Sequence, residues 1–502
     1  MAKSPATTRA LLFGARNLCT EVGVAAETQK EPMSRTADSP LYRRLSALAA
    51  SKDGSVAKTM NKWLREGKAI KKYELERYVR QLRKYKRFNH ALQLYEWMDS
   101  RGFNMSYSDY AVRLDLVYRC KGITEAEEYF NARSEPAKNN LTHGALLNSY
   151  CMEKMSDKAL NLFAKMKELN FVSSALVYNN LMGLYMKVGQ PEKVPPLMQE
   201  MTEQNILPDV FTYNILMNSY ASLKDFDAIE RIMKEIETRG KAVCDWTIYS
   251  TLAAVYVTAG LSEKAELALQ KLESLGPFRD RMAYHFLISL YAGTSNLEKV
   301  KAIWNSLQAA FPKTTNMSYL VILQALARLD DFDGLKDCFE EWESVCSSYD
   351  IRLVNVLIGA YLRRDMIEEA KLLIERSSKR GAGANFRTLE MFIEYYLEKR
   401  QIDLAMEYFN TAVSRGKQNV WQPNQQKVAG FLKYYEEEKD VDGAEEFYKK
   451  LKTVNYVNEE VYAYLLRTYI AAGKSNPLFR QQMKDDEIET NSETEKLLER
   501  VC

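Results

Sequence analysis

Tyrosine returns along this chain at a fixed step. It stands at Tyr150, Tyr185, Tyr220, Tyr256, Tyr291, Tyr361 and Tyr396, with gaps of 35, 35, 36, 35, 70 and 35 residues, and Leu326 fills the slot inside the double gap. A period of roughly 20–50 residues marks a stacked-repeat architecture. In such an array each unit buries its apolar face only against its neighbours, so the 502 residues read as one long array rather than as several separate domains. The step therefore limits fold, core and binding surface together.

Aligned on the tyrosines, the clearest copies are ALVYNNLMGLYMKVGQPEKVPPLMQEMTEQNILPD (175–209) and VFTYNILMNSYASLKDFDAIERIMKEIETRGKAVCD (210–245). Each reads as two amphipathic helices. The first carries Leu181, Leu184, Tyr185 and Val188 at helical spacing, and a short Gly or polar turn leads to the second. The same register gives units at 72–106, 107–139, 140–174, 175–209, 210–245, 246–280, 281–315, 316–350, 351–385, 386–424 and 425–459, and a partial twelfth from Glu460. In the second helix a small residue keeps step through Ala91, Ala126, Ala159, Ala265, Ala370, Ala405 and Ala444, where close helix approach is expected. The tyrosines read as packing residues whose hydroxyls find partners.

Composition removes several function classes. No apolar run approaches the ~20 residues of a membrane span; the longest candidate, Thr251 to Leu261, is a piece of an amphipathic helix. The seven cysteines (Cys19, Cys120, Cys151, Cys244, Cys338, Cys346 and Cys502) form no CxxC pair, so they read as reduced thiols rather than a disulfide or zinc framework. His90, His143 and His285 lie far apart with no metal-ligand spacing. Gly473-Lys474-Ser475 imitates the end of a phosphate-binding loop, but Thr468 stands where its first glycine is required and no strand precedes it. No enzyme and no cofactor are expected.

The net charge is only +3, yet residues 41–90 hold 15 Lys/Arg against 4 Asp/Glu. Such asymmetry fits a polyanion meeting this end of the chain, and it fits equally a solvated helix face. Residues 1–20 contain Lys3, Arg9 and Arg16 and no acid, with Leu11, Ala15 and Leu18 roughly opposite the arginines. Basic, acid-poor, amphipathic N-termini read as organelle transit peptides. Mitochondrion is the expected compartment, with chloroplast as the alternative.

The 35-residue period, the V-Y-N run at 177–179, its counterpart T-Y-N at 212–214, and Pro208-Asp209 at a unit end resemble the pentatricopeptide-repeat family, P-class, over residues 72 to about 473. The resemblance implies an all-α, right-handed superhelical solenoid of about eleven helical hairpins whose first helices line a concave groove. It also implies that the fifth and last residues of a unit together read one RNA base. Asn179 with Asp209 and Asn214 with Asp245 match the pairing that favours uracil; Asn355 with Asn385 resembles a pyrimidine reader, and Ser250 with Asp280 a purine-type one. The thirteenth residue shares that helix face and is Lys84, Arg119, Lys187, Arg328 or Arg363 in five units, placed to meet phosphate; a cation favoured by the helix dipole is the other reading. Glu76, Ala111, Gly144, Leu320, Glu390, Ala429 and the pair His285/Thr315 depart from the pattern, and Glu390, Glu398 and Glu437 put negative charge near the path.

The expected organisation is a transit peptide (1–40), a basic helical lead-in (41–71), the repeat array (72–459) and a C-terminal cap with an acidic tail (460–502). The expected function is a mitochondrial adaptor that binds single-stranded organellar RNA and acts on processing, stability or translation by occupancy. The alternative is a structural or assembly component of the mitochondrial ribosome, with rRNA and protein contacts. Unit 316–350, with Leu320 and Leu326 off-pattern, is expected to separate a base-reading stretch from a degenerate one.

Overall fold

A computed structural model describes residues 39–48, 55–239, 246–276, 278–416 and 421–502. The segment 1–38, read above as targeting sequence, and the candidate reader Asp245 lie outside the described residues. The described residues are all-α, and the chain divides into two compact units at Thr294/Ser295.

Unit 1 begins with α1 (Pro40–Ala47) and α2 (Val56–Arg65) and continues in hairpins: α3 (Lys72–Lys84) with α4 (Phe88–Ser100), α5 (Tyr107–Lys121) with α6 (Ile123–Asn131), and α7 (Asn140–Met152) with α8 (Ser156–Glu168). There follow α9 (Ala175–Lys187) with α10 (Val194–Glu203), α11 (Val210–Ser222) with α12 (Phe226–Arg239), α13 (Trp246–Ala259) with α14 (Ser262–Ser274), and finally α15 (Arg281–Gly293). Unit 2 opens with α16 (Leu297–Ala310), then α17 (Asn316–Arg328) with α18 (Phe332–Val345), α19 (Ile351–Arg363) with α20 (Ile367–Lys379), and α21 (Phe386–Glu398) with α22 (Ile402–Gly416). It ends with α23 (Gln425–Glu438), α24 (Val441–Thr453), α25 (Glu459–Ala472), α26 (Phe479–Asp485) and α27 (Ser492–Val501). From α5 to α15, and again from α17 to α25, each first helix packs on the next first helix, and α5, α7, α9, α11, α13, α17, α19, α21 and α23 pack on their own partners as well. Neither helix could bury its apolar stripe alone, so stacking closes the core.

Within most hairpins one residue in the left-handed region reverses the chain. In unit 1 these include Lys154, Gly189, Lys224 and Gly260, and in unit 2 Asp330, Asp365 and Arg400, with φ between 56° and 77°. The seven alanines of the second helices are all fully buried. The slot does not demand a small side chain, however: Val194, Ile229, Val300 and Leu335 occupy it elsewhere and are as buried.

The tyrosine ladder is packing, as its regularity implies. Tyr150, Tyr256, Tyr291 and Tyr396 are buried, and Leu326 fills its slot equally well. Burial, and then Glu127, push the Tyr150 hydroxyl well above its ordinary pKa. A second ladder runs seven residues earlier in several units. Tyr178, Tyr213 and Tyr319 donate to Glu200 (3.1 Å), Glu235 (2.9 Å) and Glu341 (2.8 Å), each 22 residues on in the second helix of the same hairpin.

Candidate nucleic-acid interface

The last residue of a unit is the N-cap of the next first helix, so candidate recognition chemistry sits at the borders between hairpins. Asp209 caps α11: its Oδ1 accepts from the Thr212 N–H at 2.8 Å, and the Asp209 N–H donates to Thr212 Oγ1 at 3.1 Å. Such reciprocal bonds satisfy donors that a helix start leaves open. Across the border, half-buried Asn179 donates from Nδ2 to Asp209 Oδ1 at 3.0 Å and accepts at Oδ1 from Thr212 Oγ1 at 2.8 Å. A carboxamide has two N–H donors and two acceptor lone pairs. One N–H and one acceptor lone pair remain, on the two flanks of the amide, where each can bond a base.

Unit 2 repeats this arrangement with different chemistry at the cap. Asn355 Nδ2 donates to Asn385 Oδ1 at 3.2 Å, and Thr388 Oγ1 donates to Asn355 Oδ1 at 2.7 Å. Asn385 caps α21 by accepting from the Thr388 N–H at 3.0 Å. Two of the four expected base-reading pairs are thus bonded pairs.

The other two stand differently. Asn214 is 8% exposed, and its Oδ1 is buried without a hydrogen-bond partner; Asp245, its expected companion, lies outside the described residues. Ser250 is buried and donates to its own helix at the Thr247 carbonyl, 2.9 Å, while Asp280 accepts from the Met282 N–H at 2.9 Å. No hydrogen bond joins Ser250 to Asp280 among the described residues. Each bonded pair also holds the threonine at the third position of the following unit, outside the fifth-and-last pairing. Its signal was in the sequence: Thr212 and Thr388 stand 33 residues after Asn179 and Asn355.

The expected phosphate-facing cations also divide. Lys84 is exposed with no ion pair among the described residues. Arg328 and Arg363 likewise have none, and partial burial pulls both guanidiniums below their ordinary pKa, reinforced at Arg363 by neighbouring Arg364 and opposed there by Asp330. A desolvated cation without a counter-ion is a ready partner for an anion. Arg119 is engaged otherwise: it pairs with buried Asp115 at 2.9 Å and lies over the Phe88 ring, 4.9 Å from its centroid. Lys187 Nζ lies 3.0 Å from Met152 Sδ.

Acids that would oppose a polyanion are partly neutralised. Glu76 pairs with Lys72 at 3.3 Å, Glu390 with Arg387 at 3.9 Å and Glu437 with Arg400 at 3.1 Å. His143 is a packing residue. It is held between Phe130 and Phe171 with its Nδ1 on the Asn139 carbonyl, and burial lowers its pKa. Among the described residues no cluster of His, Cys, Asp and Glu could hold a metal, and no helix is long and apolar enough to cross a membrane.

Stacked helical hairpins, two of whose borders hold a carboxamide between a helix cap and a threonine, define a helical-repeat protein. A model described as "PPR repeat family" matches residues 173–222, and one described as "PPR repeat" matches 141–171, 211–240 and 353–381. A mitochondrial pentatricopeptide repeat-containing protein of Arabidopsis thaliana is 39% identical over 97% of this chain and 98% of its own length. The large ribosomal subunit protein mL101 (rPPR4) of the same plant is 42% identical over 95% and 97%. Among solved structures, PPR10 in complex with an 18-nt psaJ RNA element matches with a TM-score of 0.47 and 15% identity, covering 99% of this chain and 86% of that one. The chain belongs to the pentatricopeptide repeat family.

Proposed function

We propose that this protein is a mitochondrial adaptor that binds single-stranded RNA and influences its processing, stability or translation by occupying it. The observation that carries this is the pair of border carboxamides, Asn179 and Asn355, each held by two hydrogen bonds with one donor and one acceptor left to face a base. Bases unstacked from a single strand are read on such edges. Lys84, Arg328 and Arg363, which form no ion pair among the described residues, are suited to the phosphates between them. Relatives whose names place them in the mitochondrion support that compartment, as does the basic N-terminus. No step of this role needs catalysis or a cofactor.

Binding of the full chain to a randomised pool of short single-stranded RNAs at fixed salt tests the reading. Asn179→Ala combined with Asn355→Ala removes two edges at about 0.5–1.5 kcal/mol each, so pyrimidine enrichment at two positions should fall several-fold. Unchanged affinity together with unchanged enrichment would sink the base-reading role.

A second reading, a structural component of the mitochondrial ribosome, is favoured by the 42% identity to a large ribosomal subunit protein. The N-terminal hairpins support it too: Lys58, Lys62 and Arg65 share the face of α2 opposite its buried Val56 and Met60, with no ion pair among the described residues. Sedimentation of organelle extract separates the two. The adaptor should run free or with messenger RNA at elevated salt; stable migration with a ribosomal subunit selects the structural reading.

A further inference from the structure

We infer that Thr212 and Thr388 set specificity: each lies across a repeat border and pins the recognition carboxamide of the preceding hairpin, fixing the plane in which its edge meets a base. The inference rests on the RNA-reading role proposed above and concerns residues outside the fifth-and-last pairing.

One hydrogen bond leaves a carboxamide free to swing about it; a second, to its other polar atom, fixes it. The bond from Asn179 Nδ2 to Asp209 Oδ1, and that from Asn355 Nδ2 to Asn385 Oδ1, are the pivots. The threonine hydroxyls supply the second point, at 2.8 Å for Asn179 and 2.7 Å for Asn355. Each hydroxyl also lies near its helix cap, at 2.9 Å from Asp209 Oδ1 and 3.0 Å from Asn385 Oδ1, so the recognition amide is the nearer acceptor in both borders. The capping box orients the hydroxyl. Its oxygen accepts from the backbone N–H of residue 209 or 385, each at 3.1 Å, which turns its hydrogen away from that N–H and toward the acceptors. Thr212 and Thr388 are fully buried, so water does not replace them.

The chain contains its own control. The border after Asn214 has Ile248 at the threonine position, and Ile248 is fully buried. An isoleucine side chain cannot donate, and Asn214 Oδ1 is the acceptor left buried without a partner. Two pinned carboxamides and one unpinned one therefore sit in the same array. A pinned edge gives up less side-chain freedom on meeting a base, so discrimination at such a position should be sharper by about 3- to 10-fold.

The test uses the full chain, a randomised single-stranded RNA pool and sequencing of the bound fraction, with thermal melting of each variant followed by circular dichroism. Thr212→Val with Thr388→Val should lower pyrimidine enrichment at two positions by about 3- to 10-fold, with a smaller change in overall affinity. Thr212→Ser with Thr388→Ser, which keeps both hydroxyls, should retain enrichment. Ile248→Thr supplies the missing donor and should raise enrichment at a third position, a gain that general destabilisation does not mimic. The inference is overturned if the valine pair folds and keeps full enrichment while Asn179→Ala with Asn355→Ala loses it, or if Ile248→Thr folds and adds nothing. If the asparagine variants also keep full enrichment, the RNA-reading role fails with it.

Discussion

Individual residues in this array carry strain at regular places. Lys224 closes the turn between α11 and α12 with φ of +60°, a conformation in which its Cβ crowds the backbone. That crowding costs ~1–2 kcal/mol, and glycine escapes it while giving back ~0.5–1 kcal/mol in chain entropy. At equivalent turns the chain already uses Gly189 and Gly260. Lys224→Gly should therefore stabilise unit 1 by about 0.5–1 kcal/mol, read as a higher urea midpoint with unchanged RNA preference. A lower midpoint would show that the lysine side chain contributes more than its strain costs. The border residues hold a different compromise, because Asp209 and Asn385 start a helix and grip a carboxamide with the same oxygen. Sequence spacing identified those residues but could not divide the oxygen's work between the two tasks.

At the level of the hairpin, the sequence was legible because helix periodicity and repeat period agree. Tyr150 to Tyr396 set the register, and the buried faces of α7, α13 and α21 follow from it. What escaped that reading depends on contacts between helices. The bonds from Tyr178, Tyr213 and Tyr319 to second-helix glutamates tie the two arms of a hairpin, yet a glutamate 22 residues away looks like any solvated acid. Arg119 looked phosphate-facing from its place on α5; Asp115, one turn earlier and buried, takes its charge. Ser250 had the expected register but turns its hydroxyl into its own helix. Thr212 and Thr388 were missed because their role crosses a border that the repeat register treats as an end.

Across the molecule, 70 basic and 67 acidic residues nearly cancel, but much of that cancellation is local and crosses hairpins. Lys158 pairs with Glu127, Lys167 with Glu200 and Lys264 with Glu230 in unit 1; Lys399 pairs with Asp365 and Lys427 with Glu394 in unit 2. Cations left out of this exchange stand out against it, and Arg328 and Arg363 are among them. If both meet phosphate, Arg328→Gln with Arg363→Gln should flatten the slope of log binding constant against log salt by about 1.4, at about 0.7 per contact on single strands. Pyrimidine enrichment should not change. An unaltered slope would remove both residues from the RNA path.

The borders also bear on how such arrays could be recombined. A recognition carboxamide, the cap that holds it and the threonine that pins it belong to two consecutive hairpins, so cutting at the repeat boundary separates them. A transplantable cassette should run from Asn179 through Thr212 rather than from Ala175 through Asp209. A graft that ended at Asp209 would leave the pinning donor to whatever residue the recipient supplies, and its base preference would change with the neighbour placed after it.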